Sequence, residues 1–239
     1  RLSKLTSLDA LLGQEMDERA REVEAVARAG DLLPTADQLE ERTRESLRRA
    51  WRSSRDERAA FEARPKDIVM LRSFYVEGCP PPEAEGERVN EKLVTCHQHL
   101  LSAEHWDRLR ECGRHGCLLI PAFGHFFHDG AKAFAAGDMA YVHRGTVYLI
   151  DWKTGRPGAD DRRQVTLAAH SLFEEDPALA GMPMRASLHY LFTGEEQRVP
   201  MPDDLAACAA DTVTAGVKAM RSFLRDVEAN APLEEGEFP

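Results

Sequence analysis

Two acids and an amine stand in one short stretch of the chain where strand geometry would let them meet. Gly137-Asp138-Met139-Ala140-Tyr141-Val142 is followed by His143-Arg144-Gly145, then by Val147-Tyr148-Leu149-Ile150-Asp151-Trp152-Lys153-Thr154-Gly155. Residues i and i+2 of a strand share a face, so Asp151 and Lys153 point to one side and Trp152 to the other. A turn at 143–145 would pair the two segments and bring Asp138 alongside. Two carboxylates converging beside one ammonium make a hard-oxygen site suited to Mg²⁺ or Mn²⁺, with positions left for water and phosphate. Such an ion lowers the pKa of its bound water and stabilises charge on phosphorus during in-line attack. Asp138 and Asp151 are thus the candidate metal ligands, with the Trp152 carbonyl as a further one. Lys153 is placed to orient or help deprotonate the attacking water, or to steady the phosphate.

The elements that must position these residues can be read from periodicity. Leu8, Leu12, Met16, Ala20, Val23 and Ala27 recur at helical spacing, and Gly30 follows as a C-cap. A second helix is expected after Pro34, with Thr35 or Asp37 as N-cap, and a third from Val89 to Cys112. Residues 76–87, rich in Pro, Gly and Glu, read as a loop. The character then changes. Cys117–Phe127, Ala131–Val142 and Thr146–Trp152 are strand candidates, with 143–145 as the turn between the last two. A helix over about 162–174, a strand Ala186–Thr193 ending near Gly194, and a final helix Asp204–Val227 complete the order. The fold class is α/β: a small mixed β-sheet flanked by helices over 116–239, preceded by a helical region over 1–115.

The run from Gly137 to Gly155 resembles the RecB-like branch of the PD-(D/E)xK nucleases. The shared pattern is an Asp after a Gly at a strand start, then Asp-aromatic-Lys-Thr-Gly on the next strand. The resemblance implies a restriction-endonuclease-like core with the site at a strand end. It also implies a Gln in the following helix, and Gln164 stands there as an auxiliary site residue toward the water or DNA. The Tyr usual one turn later falls at Ala168 and is absent. An upstream Gly-x-x-x-His ligand is matched in spacing by Gly13 to Asp17, which makes Asp17 an auxiliary oxygen ligand. Relatives that carry an iron–sulfur cluster do so on cysteines following a Phe-Pro. Phe238-Pro239 ends the sequence here, and no iron–sulfur cluster is evident in it.

Composition limits the remaining choices. The 239 residues, 43% apolar, suffice for one substantial core. Five cysteines without a framework pattern suit a reduced, intracellular protein, and the absence of a long apolar run leads to the expectation of a cytoplasmic protein with no membrane partner. The net charge of -10 at first opposes a nucleic-acid partner. Acids exceed bases by only 13 to 12 over residues 1–60 and 15 to 14 over 61–170, but by 13 to 5 over 171–239. A DNA path over the first two thirds is therefore still open.

Plainer readings compete at each position. Asp138, Asp151 and Lys153 can be turn and salt-bridge residues, Asp17 can simply favour the helix dipole, and Gln164 can be a surface residue. Cys112, His115, Cys117, His125 and His128 invite a zinc site, but ordinary turn and core roles are favoured. His97, His99, His105, His143, His170 and His189 show no nucleophile-base arrangement. Arg42, Arg44, Arg48, Arg49, Arg52 and Arg55 are interleaved with Glu and read as a self-paired exposed helix. The expected function is a Mg²⁺- or Mn²⁺-dependent (exo)deoxyribonuclease of repair, recombination or defence against foreign DNA, with protein partners in such a complex. The alternative is a catalytically inactive module of the same fold that binds DNA or a protein partner.

Overall fold

The computed structural model describes residues 2–112, 124–179 and 181–234, and it is a mixed α/β protein. The chain divides into two compact units. The first holds Arg1–Cys117 together with Trp152–Pro157 and His189–Glu196, and the second holds the rest.

The first unit is built on helices α1 (Leu8–Ala29), α2 (Ala36–Asp56), α3 (Arg58–Ala63), α4 (Glu83–Leu101) and α5 (His105–Cys112). Ser7 caps α1 by accepting from the Ala10 N–H, and Gly30, at φ 77°, closes it in the left-handed conformation. Thr35 and Gln38 form a reciprocal capping box at the start of α2. The helix expected from Val89 begins earlier, at Glu83, because Pro82 fits the helix entry and Glu83 and Glu85 sit favourably in the first turn. That helix also breaks at 102–104. Trp106 Nε1 donates to the Leu100 carbonyl at 2.6 Å, taking an acceptor that a continued helix would use. A π-helical turn, Ser73–Glu77, intrudes on the loop expected from 76. Helix α1 packs against α2, α4 and α5. Leu12, Met16, Val23, Leu39, Leu93, Trp106 and Leu109 lie in the buried core. Two short strands, β1 (Leu5–Thr6) and β2 (Met70–Leu71), pair in parallel.

In the second unit the strand expected over Ala131–Val142 is two strands in two sheets. Strands β3 (Gly124–His128) and β4 (Ala131–Ala135) form a hairpin, while β5 (Met139–His143) joins a four-stranded sheet of order β5-β6-β7-β8. Its other members are β6 (Thr146–Lys153), β7 (Met184–Tyr190) and β8 (Glu195–Val199). The β5–β6 turn sits where expected, with Arg144 at φ 49° and Gly145 at φ 74°, the pair of positive values a two-residue hairpin loop needs. Strands β6 and β7 run parallel. The Val147 N–H donates to Pro183 O near one end and the Leu191 N–H to Lys153 O near the other.

Helix α6 (Asp161–Glu175) makes the crossover between them and packs on β3, β4 and helix α7 (Leu205–Arg221). Strand β8 was not expected, since Glu195-Glu196-Gln197-Arg198 lacks apolar alternation. The last helix stops at Arg221 instead of running to Val227, and β9 (Leu224–Asp226) pairs with β10 (Ala231–Pro232). No helix among the described residues is long and apolar enough to cross a membrane.

Candidate functional site

Strand β6 is buried along almost its whole length, and its two faces have different tasks. The β5–β6 register pairs Met139 with Ile150 and Ala140 with Leu149, so Asp138 and Asp151 each lie one residue beyond the end of the paired segment. The Asp138 N–H donates to Ile150 O at 3.2 Å, one residue off that register, so the ladder slips at Asp138. That bond holds the Asp138 backbone beside Ile150, next to Asp151, whose strand face is shared with Val147 and Leu149. That side faces α6. Leu172 packs with Val147, Ala168 lies beside Gly137 and Leu149, and Gln164 Nε2 donates to Asp151 Oδ1 at 3.4 Å. Residues 164, 168 and 172 are spaced i, i+4, i+8, and they meet residues 151, 149 and 147 in reverse order. Gln164 reaches Asp151 because helix and strand run antiparallel at matched periods.

Two small residues keep this packing close. A Cβ on Gly137 would fall 2.5 Å from Leu149 Cδ1 and 3.8 Å from Ala168 Cβ. The same closeness accounts for the small side chain of Ala168. Asp151 is only 1% exposed. A carboxylate held that far from water is stable when paired, hydrogen-bonded or bound to a cation.

Lys153 lies two residues along β6 from Asp151, on the same strand face, and is half-buried. Trp152 turns to the other face, where it is buried and stacked on Trp106, with ring centroids 5.7 Å apart. Asp17 is half-buried on α1, one turn beyond Gly13. A Cβ on Gly13 would meet Thr154 Oγ1 at 3.5 Å, so this helix face lies against the segment after Lys153. The structure thus brings Asp151 and Gln164 into contact in the second unit, with the Asp138 backbone bonded to neighbouring Ile150. Asp17 lies in the first unit, beside the end of the same motif.

A second cluster escaped the sequence reading. His105 Nε2 lies 3.0 Å from His189 Nε2, and His189 Nε2 lies 3.6 Å from Glu196 Oε1. The three ligating atoms all fall within 4.8 Å of one another. Burial, with His189 and Arg108 alongside, pushes His105 down to about 3. Burial also lowers His189, against the pull of Glu196 and Glu104. Both imidazoles are neutral at pH 7. No spacing rule connects residues 105, 189 and 196, and Glu196 lies on the strand that sequence alternation did not reveal.

The suggested Cys/His zinc site does not form as a set on β3. His125 and His128 are three apart on a strand and therefore point to opposite faces. His125 is exposed between Phe127 and Phe134, whereas His128 faces Thr214. His115 and Cys117 lie outside the described residues.

The outer face of the β3–β4 hairpin carries chemistry too. Its register sets His125 opposite Phe134 and Phe127 opposite Lys132. Phe127 and Phe134 are 67% and 62% exposed, and Lys132 Nζ sits 5.9 and 4.8 Å from their ring centroids. Phe134 and Gln164 line one pocket of ≈ 290 Å³. On α2, by contrast, Arg42 pairs with Glu22, Arg44 with Glu40, Arg48 with Glu41 and Arg49 with Glu45. Compared with protein-family models, curated proteins and solved structures, the chain matches none.

Proposed function

We propose that this protein is a metal-dependent nuclease of the PD-(D/E)xK type, hydrolysing DNA phosphodiester bonds under Mg²⁺ or Mn²⁺. The observation that carries the reading is the buried Asp151 carboxylate held by the Gln164 amide, with the Asp138 backbone tied to neighbouring Ile150. The donor set fits a hard divalent cation, because Asp138 and Asp151 both offer carboxylate oxygen and neither offers nitrogen or sulfur. Asp138 and Asp151 would hold the ion, with the adjoining Trp152 carbonyl, and the ion when bound supplies Lewis acidity toward a phosphoryl oxygen.

The chain's own residues do the positioning. Gln164 fixes the Asp151 carboxylate through its amide N–H. Lys153, on the Asp151 face of β6, brings an ammonium to the attacking water or the scissile phosphate. The antiparallel β5–β6 pair, the parallel β6–β7 pair and the α6 crossover support the reading of a restriction-endonuclease-like core. The exposed aromatic face of β3–β4 with its lysine suits stacking of unpaired bases beside a backbone phosphate. Repair, recombination or defence against foreign DNA, in a cytoplasmic complex with partner proteins, is the setting this reading gives.

The test is a cleavage assay on linear, circular and single-stranded DNA with Mn²⁺, Mg²⁺ or EDTA, comparing wild type with Asp151→Ala and Lys153→Ala. Metal-stimulated cleavage abolished in both variants supports the reading. Cleavage undiminished in both refutes the site, and DNA binding without cleavage by the wild type selects the inactive binding module.

A further inference from the structure

We propose that His105, His189 and Glu196 form a second metal site that takes a transition-metal ion, Zn²⁺ by its donor set, with the fourth position open to solvent. It is independent of the acid pair and of the nuclease reading. The geometry is already close to what the ion needs. Zinc–ligand bonds of about 2.0–2.1 Å at tetrahedral angles place neighbouring donor atoms about 3.3 Å apart. The His105–His189 and His189–Glu196 separations, 3.0 and 3.6 Å, bracket that value. The third pair lies within 4.8 Å, a gap that a side-chain rotation at Glu196 can close, since that side chain is 43% exposed.

The donor chemistry selects the ion. Two imidazoles and one carboxylate match the borderline-soft divalent metals and suit Mg²⁺ poorly. Three protein ligands with one vacant direction is the arrangement that leaves room for water or a small oxygen ligand. A pocket of ≈ 230 Å³ reaches the site, lined by His189 and Glu196 with Ser102, Ala103 and Glu104. An ion from solvent can therefore arrive without unfolding the protein.

The surrounding shell holds the imidazoles in place. The Trp152 ring lies 4.9 Å from the His189 ring and 6.2 Å from that of His105, and Trp152 is itself stacked on Trp106. Trp106 is anchored by its N–H to the Leu100 carbonyl. Apolar walls of this kind lower the local dielectric and strengthen the metal–ligand attraction. The competing description is a metal-free pair in which His105 and His189 share one hydrogen bond between their Nε2 atoms, with Glu196 3.6 Å from His189.

Titration of the metal-free full chain with Co²⁺, and with Zn²⁺ by calorimetry, separates the two. One ion per chain with tetrahedral cobalt absorption is expected, weakened at least about 10-fold in both His189→Asn and Glu196→Gln. Asp138→Ala and Asp151→Ala should retain it unchanged. These four positions avoid the deeply buried His105, and circular dichroism confirms that each variant is folded. Absence of tetrahedral cobalt binding overturns the proposal, as does binding that survives both His189→Asn and Glu196→Gln. Loss of that signal in the Asp138 and Asp151 variants alone also overturns it, because the ion would then sit at the acid pair.

Discussion

The acid pair and the imidazole cluster are built by opposite strategies. Asp138 and Asp151 are thirteen positions apart, and their backbones are neighbours because a tight turn folds one strand onto the next. His105 and His189 are 84 positions apart and meet only through tertiary packing of the first unit. The former offers hard oxygen and the latter mainly nitrogen, so the two should select different ions. Local pairing can be deduced from alternation and a turn, whereas remote convergence leaves no periodic trace.

The largest predicted effect tests whether the two clusters are separate in function. Asp151→Ala should lower Mn²⁺-dependent cleavage by at least about 100-fold, the ~3 kcal/mol expected from losing a ligand to a Lewis-acid ion. His189→Asn should leave cleavage within about twofold of wild type, and a comparable loss in that variant would show the clusters acting as one.

The aromatic face is the next lever, because it bears on what the acid pair cuts. Replacing Phe127 and Phe134 together by Ala should weaken binding of a fluorescent single-stranded oligonucleotide by about 5- to 150-fold, from 1–3 kcal/mol per stacked base. Thermal stability should hardly change, since both rings are largely exposed. Equal affinity in wild type and variant would remove this face from the substrate path.

Packing beneath the acid pair gives a comparable figure on stability. Gly137→Ala puts a methyl carbon 2.5 Å from Leu149 Cδ1, and overpacking of this kind costs about 1–3 kcal/mol. Trimming the obstacle with Leu149→Val in the same chain should restore part of the loss, a positive coupling readable from denaturation of the four cycle members. Strictly additive losses would mean that the methyl is accommodated elsewhere.

The same contrast between near and remote explains what the sequence revealed. Helix α1 with its Gly30 cap, a second helix capped at Thr35 or Asp37 and the turn at 143–145 depend on residues close in the chain, and each was legible. The Ser7 cap and the Thr35–Gln38 capping box emerge only in the structure. The break at 102–104 was not legible, because it follows from the Trp106 indole bonding back to Leu100. Nor was the division of 131–142, where Gly137 sits tightly against Leu149 while the flanking strands enter different sheets. Gln164 could be placed at helical spacing, but its reach to Asp151 depends on the antiparallel run of α6 against β6. For the histidines, only the fold could sort cluster members from core residues.

His97 supplies the control for that sorting and the smallest predicted effect. It is fully buried, with Nδ1 2.7 Å from Leu93 O and Nε2 3.2 Å from Thr43 Oγ1. A carbonyl can only accept, so Nδ1–H donates to it and the bare Nε2 accepts from the hydroxyl. Both nitrogens are used within the protein, which makes this a structural histidine. Burial holds its pKa below the ordinary value, against opposing effects of Leu93 and Glu40.

The unfolded chain therefore takes up a proton as pH falls through about 6.5, while the folded chain stays neutral until more acid conditions. Stability contributed by this residue is intact above that pH and declines below it. Urea denaturation at pH 8, 6 and 5 should show a shallower acid decline in His97→Gln, by at most about 1.4 kcal/mol per pH unit. Identical slopes in both proteins would show that His97 is protonated equally in the folded and unfolded chains. The neutral role in which both ring nitrogens are hydrogen-bonded within the protein would then be wrong for His97.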